Sequence, residues 1–428
     1  MRLTEPRVVF VRGSARSGTT LLSDIMNESP EIGILVEQPL GDLAYRMLDI
    51  FWFEKHRNEQ RETIAARDKA DGETHGEPHY DPIENPERMR FPRRYPMRDR
   101  FGRIVAAVVG ASLEKTSPQI IGSKTPGHWN EHELRVVQEM FEDVRYVFIV
   151  RNPLETINSI VNRRNAARKG LDLWPDKPIA EAISRYREGV CLLYSCASTY
   201  PERTYVVRYD DLIGDTAKTL EDLGRFIGVE LRDTSGLVRE SRPAKIVLDG
   251  DERNAVRAAL GDAVDSWGHK RLTGTASGIG CQLDDCIDVA RCGVEYRFDA
   301  PVGERGILGS GWSGAQPKGV WSDAALSDVF FRVPRNGDYV VTIRLWASAG
   351  NRRRPVALRT SLAGDEREHT LRDGGGARLA LGPLRLEAGR AHRLRFAFGE
   401  LESEFERGKG LDLRRKGILL RRIRVDER

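Results

Sequence analysis

Short apolar runs alternate with helical stretches over the first half of the chain. Helical spacing covers about residues 19–28 and 131–142, and a further helix is predicted after Asn152 and Pro153. Strands that alternate with helices predict a parallel sheet covered by helices on both faces. The predicted strands cover residues 8–11, 32–36, 120–121, 146–150 and 204–207.

The pattern changes near residues 268–295 into short strands of alternating polarity. Asn-Gly, Ala-Gly-Asp and Gly-Gly-Gly turns separate them, and this spacing is typical of an antiparallel β-sandwich. The predicted strands here cover residues 340–346, 356–362, 378–386, 392–398 and 417–425. We therefore predict an α/β domain over residues 1–275, a linker over 276–294 and a β-sandwich accessory domain over 295–428.

A segment rich in charge, proline and histidine interrupts the first domain over about residues 54–103. Long irregular stretches inside a compact domain are either functional or disordered. The aromatic residues Tyr80, Phe91 and Tyr95 lie among its basic residues and favour a lid or an acceptor-binding insertion.

Composition narrows the class of protein. The chain has 428 residues, enough for two domains, and lacks both a signal-peptide core and a run of about 18 apolar residues. Its five cysteines argue against a disulfide framework and for a reducing compartment, so a cytoplasmic location is expected. Residues 295–428 carry a net charge of +8 and residues 1–294 about −4, from a total of +4. The basic end favours either an acidic glycan, lipid or nucleic-acid partner or a solvated arginine-rich surface.

The first predicted strand leads into a glycine-rich loop. Gly13 and Gly18 have the spacing of a Walker A loop, but Thr19 and Thr20 replace its Lys-Ser/Thr pair. Backbone N–H groups in such a loop, together with the next helix N-terminus, bind phosphate oxygens. Arg16 is the remaining cation and suits a bidentate grip on one oxyanion group. We therefore expect anion binding without ATP hydrolysis.

A second candidate anion site follows the apolar run at residues 146–150. Arg151 comes directly after this run, and Ser159 lies about two turns along the next helix. Open α/β sheets bind ligands at the carboxyl ends of their strands, so this pair suits a second phosphate. The alternative is an arginine held in a salt bridge at the strand end.

These two motifs together resemble the sulfotransferases that use 3′-phosphoadenosine 5′-phosphosulfate (PAPS), in particular the branch similar to tyrosylprotein sulfotransferases. The similarity covers roughly residues 5–230. It implies a 5′-phosphosulfate site and a 3′-phosphate site, the latter formed by Arg151 and Ser159, and it places Tyr209 of the segment 207–212 near the nucleotide. The implied 5′-phosphosulfate site comprises Arg16, Ser17, Gly18, Thr19 and Thr20. PAPS has no γ-phosphate, which accounts for the missing lysine.

The same resemblance implies catalytic roles at two further strand ends. Glu37 is the candidate general base, and Lys124 would stabilise the leaving phosphate together with Arg16. His128 and Glu131 are rival bases near Lys124, with His128 the second choice.

These patterns predict a cytosolic enzyme that transfers the sulfuryl group of PAPS to a hydroxyl or amine and releases PAP. A glycan or glycolipid acceptor is expected, because Trp312 and Trp321 open a region that looks like accessory domains of carbohydrate-active transferases. These tryptophans can equally fill a sandwich core. The alternatives are a P-loop kinase or nucleotide-binding regulator, and a glycan-binding protein with a degenerate enzyme domain.

Three partner classes are not expected. Cys281, Cys286 and Cys292 lack a Cys-x2-Cys knuckle, so no metal is predicted. No nucleic-acid partner and no transmembrane segment are expected, and the oligomeric state is left open.

Overall fold

The structure is a computed structural model of the full chain. The residues that it describes are 6–37, 40, 43, 98–116, 118–125, 137–138, 141–170, 178–231, 236, 238, 246–279, 282–299, 305–313, 316–347, 355–372, 375–399, 401 and 416–428.

The N-terminal region contains a six-stranded sheet with the order β2-β3-β1-β4-β5-β6. Its strands are β1 (Arg7–Arg12), β2 (Ile32–Val36), β3 (Ile120–Lys124), β4 (Val144–Val150), β5 (Thr204–Arg208) and β6 (Gly274–Thr275). The first five strands are mutually parallel, as the sequence predicted, whereas the short β6 is antiparallel to β5 at the edge.

The helices of this region pack against the two faces of the sheet. They are α1 (Thr19–Asn27), α2 (Arg98–Ser112), α3 (Pro153–Arg168), α4 (Ile179–Thr199), α5 (Tyr209–Gly214), α6 (Thr216–Ile227), α7 (Gly250–Ser266) and α8 (Ala276–Ile279). Helix α2 includes the last residues of the predicted 54–103 insertion, and residues 54–97 lie outside the described residues. No helix within the described ranges is both long and apolar enough to cross a membrane.

Two hydrophobic clusters lie on opposite faces of this sheet. Side chains alternate along β1, so Val8 and Phe10 belong to one cluster while Val9 and Val11 belong to the other. A strand buried on both faces reads as a continuous apolar run, which is why residues 8–11 predicted it. The α/β class predicted from the sequence is confirmed.

The C-terminal region consists of two antiparallel sheets. One has the order β13-β10-β15-β7, with β8 paired to β15, and the other has the order β12-β11-β14-β9. The strands are β7 (Glu295–Arg297), β8 (Val320–Trp321), β9 (Leu326–Phe331), β10 (Gly337–Ala347), β11 (Val356–Leu362), β12 (Asp365–Leu371), β13 (Gly376–Leu386), β14 (His392–Phe398) and β15 (Ile418–Glu427). Both sheets contribute to one hydrophobic cluster, which includes Val341 and Phe396.

A tight hairpin joins β11 to β12, a strand that the sequence did not predict. Leu362 pairs with Asp365, and the two residues between them, Ala363 and Gly364, have φ angles of 50° and 85°. Positive φ at both central residues defines the hairpin turn whose twist matches that of the flanking strands. The sequence therefore predicted the Ala-Gly-Asp turn but not the strand β12 that follows it.

The two regions touch along helix α4. The Cys191 thiol donates to the Gly306 carbonyl at 3.3 Å, the Ser310 N–H donates to Ser195 Oγ at 3.0 Å, and Arg395 donates to Thr199 Oγ1 at 3.2 Å. Within the predicted linker, buried Leu283, Cys286 and Ile287 pack into the α/β cluster. The domain boundaries stay a prediction.

Candidate active site

The predicted site residues follow the carboxyl ends of adjacent strands. In the sheet register, Lys124 of β3 lies beside Val11 of β1 and Val36 of β2. On the other side of β1, Val150 of β4 pairs with Arg208 of β5. The parallel arrangement thus gathers the loops after β1 to β5 at one edge, where such sheets bind ligands.

The glycine-rich loop has a backbone that requires glycine. Gly13 has a φ of 152°, and a Cβ there would lie 2.5 Å from the carbonyl oxygen of Ile149. Gly18 has a φ of 106°, and a Cβ there would lie 2.6 Å from the Tyr209 ring. Ser17 is buried and its hydroxyl donates to the Ser14 carbonyl at 2.8 Å, which closes the turn. These constraints keep the loop close to both β4 and Tyr209.

The loop and the second motif are in direct contact. Arg16 is exposed, and its Nε donates to Ser159 Oγ at 3.2 Å. Its φ of 70° is unusual for a residue with a side chain and is of the kind found at functional sites. Of the two threonines that open α1, Thr19 is buried and Thr20 is exposed. The exposed arginine and the helix N-terminus together form a cationic edge.

The Arg151 guanidinium lies over the Tyr209 ring. Its guanidinium carbon is 4.3 Å from the ring centroid, a cation–π geometry, and its Nε donates to Glu155 at 2.9 Å. The predicted alternative of a strand-end salt bridge is therefore present in this structure. Because Tyr209 also packs against Gly18, one aromatic ring connects the loop to Arg151.

Helix α4 supports both motifs, and sequence reasoning missed this role. The Tyr186 hydroxyl donates to the Arg151 carbonyl at 3.1 Å, and the Ser14 hydroxyl donates to the Tyr186 carbonyl at 3.2 Å. A Cβ on Gly189 would lie 2.5 Å from Ser14 Oγ, so the helix approaches the loop closely. Burial raises the pKa of Tyr186 well above its usual value, with nearby Cys286 adding to this, so its hydroxyl stays a donor. The apolar spacing along residues 182–190 was the one sequence signal that α4 packs against the sheet.

A buried lysine and an exposed glutamate form an ion pair between β2 and β3. Lys124 is 1% exposed, its Nζ lies 3.1 Å from Glu37 Oε1, and the Glu37 side chain is 67% exposed. The Glu37 N–H also donates to the Lys124 carbonyl at 2.8 Å, with a φ of 58° at Glu37. A buried ammonium needs an anionic partner, because removing its partner leaves an uncompensated charge. Glu37 is thus both fixed in place and open to solvent.

Asp24 on α1 is a further charged group near Lys124. Burial raises the pKa of Asp24 above its usual range, while the positive charge of Lys124 partly opposes that rise. Asp24 lies within a helix whose apolar spacing dominates the sequence pattern, so no motif singled it out.

Other predicted residues fall elsewhere. His128 and Glu131 lie outside the described residues. Trp312 is a core residue, 5% exposed, with its indole N–H donating to the Asp328 carbonyl, so its predicted surface contact with carbohydrate does not fit its burial. Trp321 is half-buried beside Lys416. Over the described ranges, no group of three or more His, Cys, Asp or Glu side chains is arranged to hold a metal ion.

Comparison with known proteins identifies the family. Residues 6–233 match the sulfotransferase family, which is more than half of the chain. The chain therefore belongs to this family, and the resemblance predicted from its motifs is confirmed.

Individual relatives are more distant. The chain is 26% identical over 168 residues to omega-hydroxy-beta-dihydromenaquinone-9 sulfotransferase Stf3 of Mycobacterium bovis, and equally to that of Mycobacterium tuberculosis. These matches cover 35% of this chain and 41% of each relative, so the chain spans less than half of their length.

Solved structures give similarly remote matches. The sulfotransferase domain of the curacin biosynthetic pathway is 16% identical with a TM-score of 0.33, over 64% of this chain and 85% of that one. Sulfotransferase STF9 of Mycobacterium avium is 17% identical with a TM-score of 0.32, over 62% and 77%.

Proposed function

We propose that this protein transfers the sulfuryl group of PAPS to an acceptor hydroxyl or amine. The observation that carries this proposal is the contact between Arg16 and Ser159 at 3.2 Å. It joins the two candidate anion-binding motifs at one sheet edge, and PAPS carries anionic groups at two positions of one nucleotide. A ligand with a single phosphate would need only one of these two motifs.

The proposed donor site uses both motifs. The loop N–H groups, the α1 N-terminus and Arg16 would hold the 5′-phosphosulfate, and Ser17, Gly18, Thr19 and Thr20 supply this segment. Arg151 and Ser159 would hold the 3′-phosphate, which requires Arg151 to exchange its bond to Glu155 for a bond to phosphate. Tyr209 would orient that guanidinium through the contact with its ring.

The proposed chemistry needs a base and a cation beside the transferred group. The acceptor oxygen or nitrogen attacks sulfur, the bond from sulfur to the 5′-phosphate oxygen breaks, and PAP leaves with that electron pair. Glu37 would accept the acceptor proton, and Lys124 and Arg16 would stabilise the charge on the leaving phosphate. Donor phosphate offers the buried Lys124 a second anionic partner, which would release the Glu37 carboxylate toward the acceptor.

The proposed acceptor class is a hydroxyl compound, with a glycan or glycolipid favoured. The Stf3 relative is named as a sulfotransferase of omega-hydroxy-beta-dihydromenaquinone-9, so a lipid hydroxyl belongs in any screen. The glycan preference is supported by the basic C-terminal region with its exposed Trp346. A cytoplasmic location is likewise proposed, since the four described cysteines form no disulfide with one another.

Two measurements test this proposal. Calorimetry with PAP, ADP and ATP should show PAP binding tightest, whereas tighter binding of ATP contradicts the donor assignment. Transfer of labelled sulfate from PAPS to a panel of sugars, hydroxylated lipids, peptides and phenols should label at least one hydroxyl acceptor. Labelling of peptides alone would contradict the glycan or lipid class.

A further inference from the structure

A row of four arginines crosses the larger antiparallel sheet. Arg344 of β10 lies directly opposite Arg378 of β13 and Arg422 of β15, and Arg422 lies opposite Arg297 of β7. Directly opposed residues share one face of a sheet, and like charges in such pairs destabilise it. A sheet that holds four such residues in register concentrates positive charge, which is stable only where neighbouring carboxylates or a bound anion offset it.

A fifth arginine joins this row at a β-bulge. The pairing of β10 with β15 shifts between Arg344 and Leu345, which leaves Arg421 as the extra residue of β15. The Arg421 guanidinium lies over the Trp346 ring, 5.2 Å from its centroid. The bulge thus brings one more cation beside Trp346, two residues along β10 from Arg344.

Trp346 is an exposed aromatic side chain beside this row. It is 42% exposed, although most large apolar side chains of this region are buried. It lies opposite Gly376 of β13, where a Cβ would come within 2.8 Å of the indole nitrogen. The glycine therefore leaves space for the ring to lie along the sheet surface.

Two carboxylates compensate only part of this charge. Glu295 pairs with Arg422 at 2.8 Å and Arg344 at 3.5 Å, while Asp299 pairs with Arg297 at 3.2 Å and lies near Arg421. Both carboxylates lie toward the β7 edge. At the β13 edge, Arg378 has no carboxylate partner among the residues that the structure describes.

A shallow cavity lies over β10, β13 and β15 and includes Arg378. Its volume is about 290 Å³, close to the lower end of ligand clefts, roughly 300 Å³. Its lining includes Arg344, Trp346, Gly376, Arg378 and Arg421. An aromatic ring, a glycine and four arginines, Arg422 being the fourth, thus line one concave surface.

We propose that this surface, the arginine–tryptophan cleft, binds an acidic saccharide. The C–H face of a sugar ring packs on the exposed part of Trp346, attracted by the negative face of the indole. Arg378 and Arg344 bind its sulfate or carboxylate groups through paired N–H donors. Glu295 and Asp299 limit the cationic track at the β7 edge, which favours a short charged segment over a long polyanion such as nucleic acid.

The test is binding of the full chain, without nucleotide, to a sulfated octasaccharide, its desulfated counterpart, a uronate oligosaccharide and single-stranded DNA. The proposal expects the charged saccharides to bind more tightly than the desulfated one and than DNA. Comparison of the sulfated and uronate saccharides identifies which acidic group is preferred. DNA binding that exceeds both would overturn the saccharide assignment.

Substitutions locate the binding. Arg378→Gln should weaken saccharide binding about tenfold, the loss expected for one charge-assisted interaction. Arg359→Gln removes an arginine that is also exposed, from β11 of the other sheet, and should leave affinity unchanged. Trp346→Ala should weaken binding at least as much as Arg378→Gln, with the circular dichroism of the sheets retained. Equal losses from Arg378→Gln and Arg359→Gln, or an unchanged affinity with Trp346→Ala, would overturn the proposal.

Discussion

The two regions of this protein assemble charged side chains in different ways. In the N-terminal sheet, Arg16, Lys124 and Arg151 are distant in sequence but follow strands that end at a common edge. In the C-terminal sheet, Arg344 and Arg378 meet because antiparallel strands place residues side by side on one face. The first arrangement gathers candidate site residues at one sheet edge, where we propose that a single ligand binds, and the second spaces arginines in a row across a sheet face.

Backbone strain differs in the same way. In the N-terminal region, Arg16 and Glu37 have positive φ angles at the candidate site. In the C-terminal region, Ala363 has a positive φ within a hairpin turn that such angles favour. The positive φ angles of Arg16 and Glu37 therefore lie at the site of the proposed chemistry, whereas that of Ala363 lies in the turn that connects two strands.

The largest expected effect comes from the C-terminal core. Trp312 is buried, packs edge-on against Phe396 and donates to the Asp328 carbonyl at 2.7 Å. Trp312→Ala should lower the free energy of unfolding by about 3–5 kcal/mol, as for other large core aromatic residues. Chemical denaturation followed by circular dichroism measures this loss, and calorimetry should show that PAP affinity of the folded protein is retained.

Trp346→Ala is the matched control, because it removes the same side chain from an exposed position. It should change stability far less than Trp312→Ala. If Trp312→Ala also abolished PAP binding in folded protein, the two regions would act as one unit through α4, and the contrast between them would fail.

The next largest effect tests whether Glu37 acts as the base at the candidate site of the N-terminal sheet. Glu37→Gln should lower turnover by about 10²-fold or more, the usual contribution of a general base, while PAP affinity is retained. The side chain is largely exposed, so the fold should be unaffected. Steady-state sulfate transfer and PAP calorimetry on the same preparation separate the two quantities.

Glu28→Gln serves as its control, since Glu28 is an exposed residue at the far end of α1. Both quantities should stay unchanged in that variant. Unchanged turnover in Glu37→Gln would exclude Glu37 as the base, and His128 would become the leading candidate.

Much of the fold follows from local pattern. The apolar runs at residues 32–36, 356–362 and 392–398 match β2, β11 and β14 residue for residue, because half- or fully buried strands carry their periodicity in sequence. Strand β12 was missed because its first four residues are all charged and only its last residue, Leu371, is apolar, so it has little apolar signal. The edge strand β6 was missed because two residues carry no period.

Site residues were predictable where they belong to a recognised sequence motif, and were missed where their role depends on tertiary packing. Arg16, Arg151 and Ser159 come after recognisable strands, and in the structure Arg16 contacts Ser159 while Arg151 contacts Tyr209. Tyr186 was missed because its role rests on contacts made through helix packing. The arginine row was likewise invisible, since strand register determines which residues become neighbours.

A smaller effect on nucleotide affinity tests whether Arg151 binds the 3′-phosphate of the donor. Arg151→Ala should weaken PAP binding about ten- to a hundredfold, because a charge-assisted bond contributes roughly 1.5–3 kcal/mol. Arg168→Ala, an exposed residue at the end of the same helix, should have no effect. Removal of the 3′-phosphate from the ligand should erase the difference between wild type and Arg151→Ala. A difference that persists with the shorter nucleotide would contradict the assignment of Arg151 to the 3′-phosphate.

The smallest expected effect is a pH dependence of the C-terminal region. Burial lowers the pKa of His392 below its usual 6.5, although its bond to the Glu387 carbonyl partly opposes this. The unfolded chain therefore binds a proton at His392 that the folded chain resists, so stability present above pH 6.5 is lost as the pH falls below it. His392→Gln should flatten the decline of unfolding free energy between about pH 7 and 5. His269→Gln, at an exposed histidine of the N-terminal region, should leave that decline unchanged. Equal slopes in wild type and His392→Gln would show that the acid sensitivity comes from other groups.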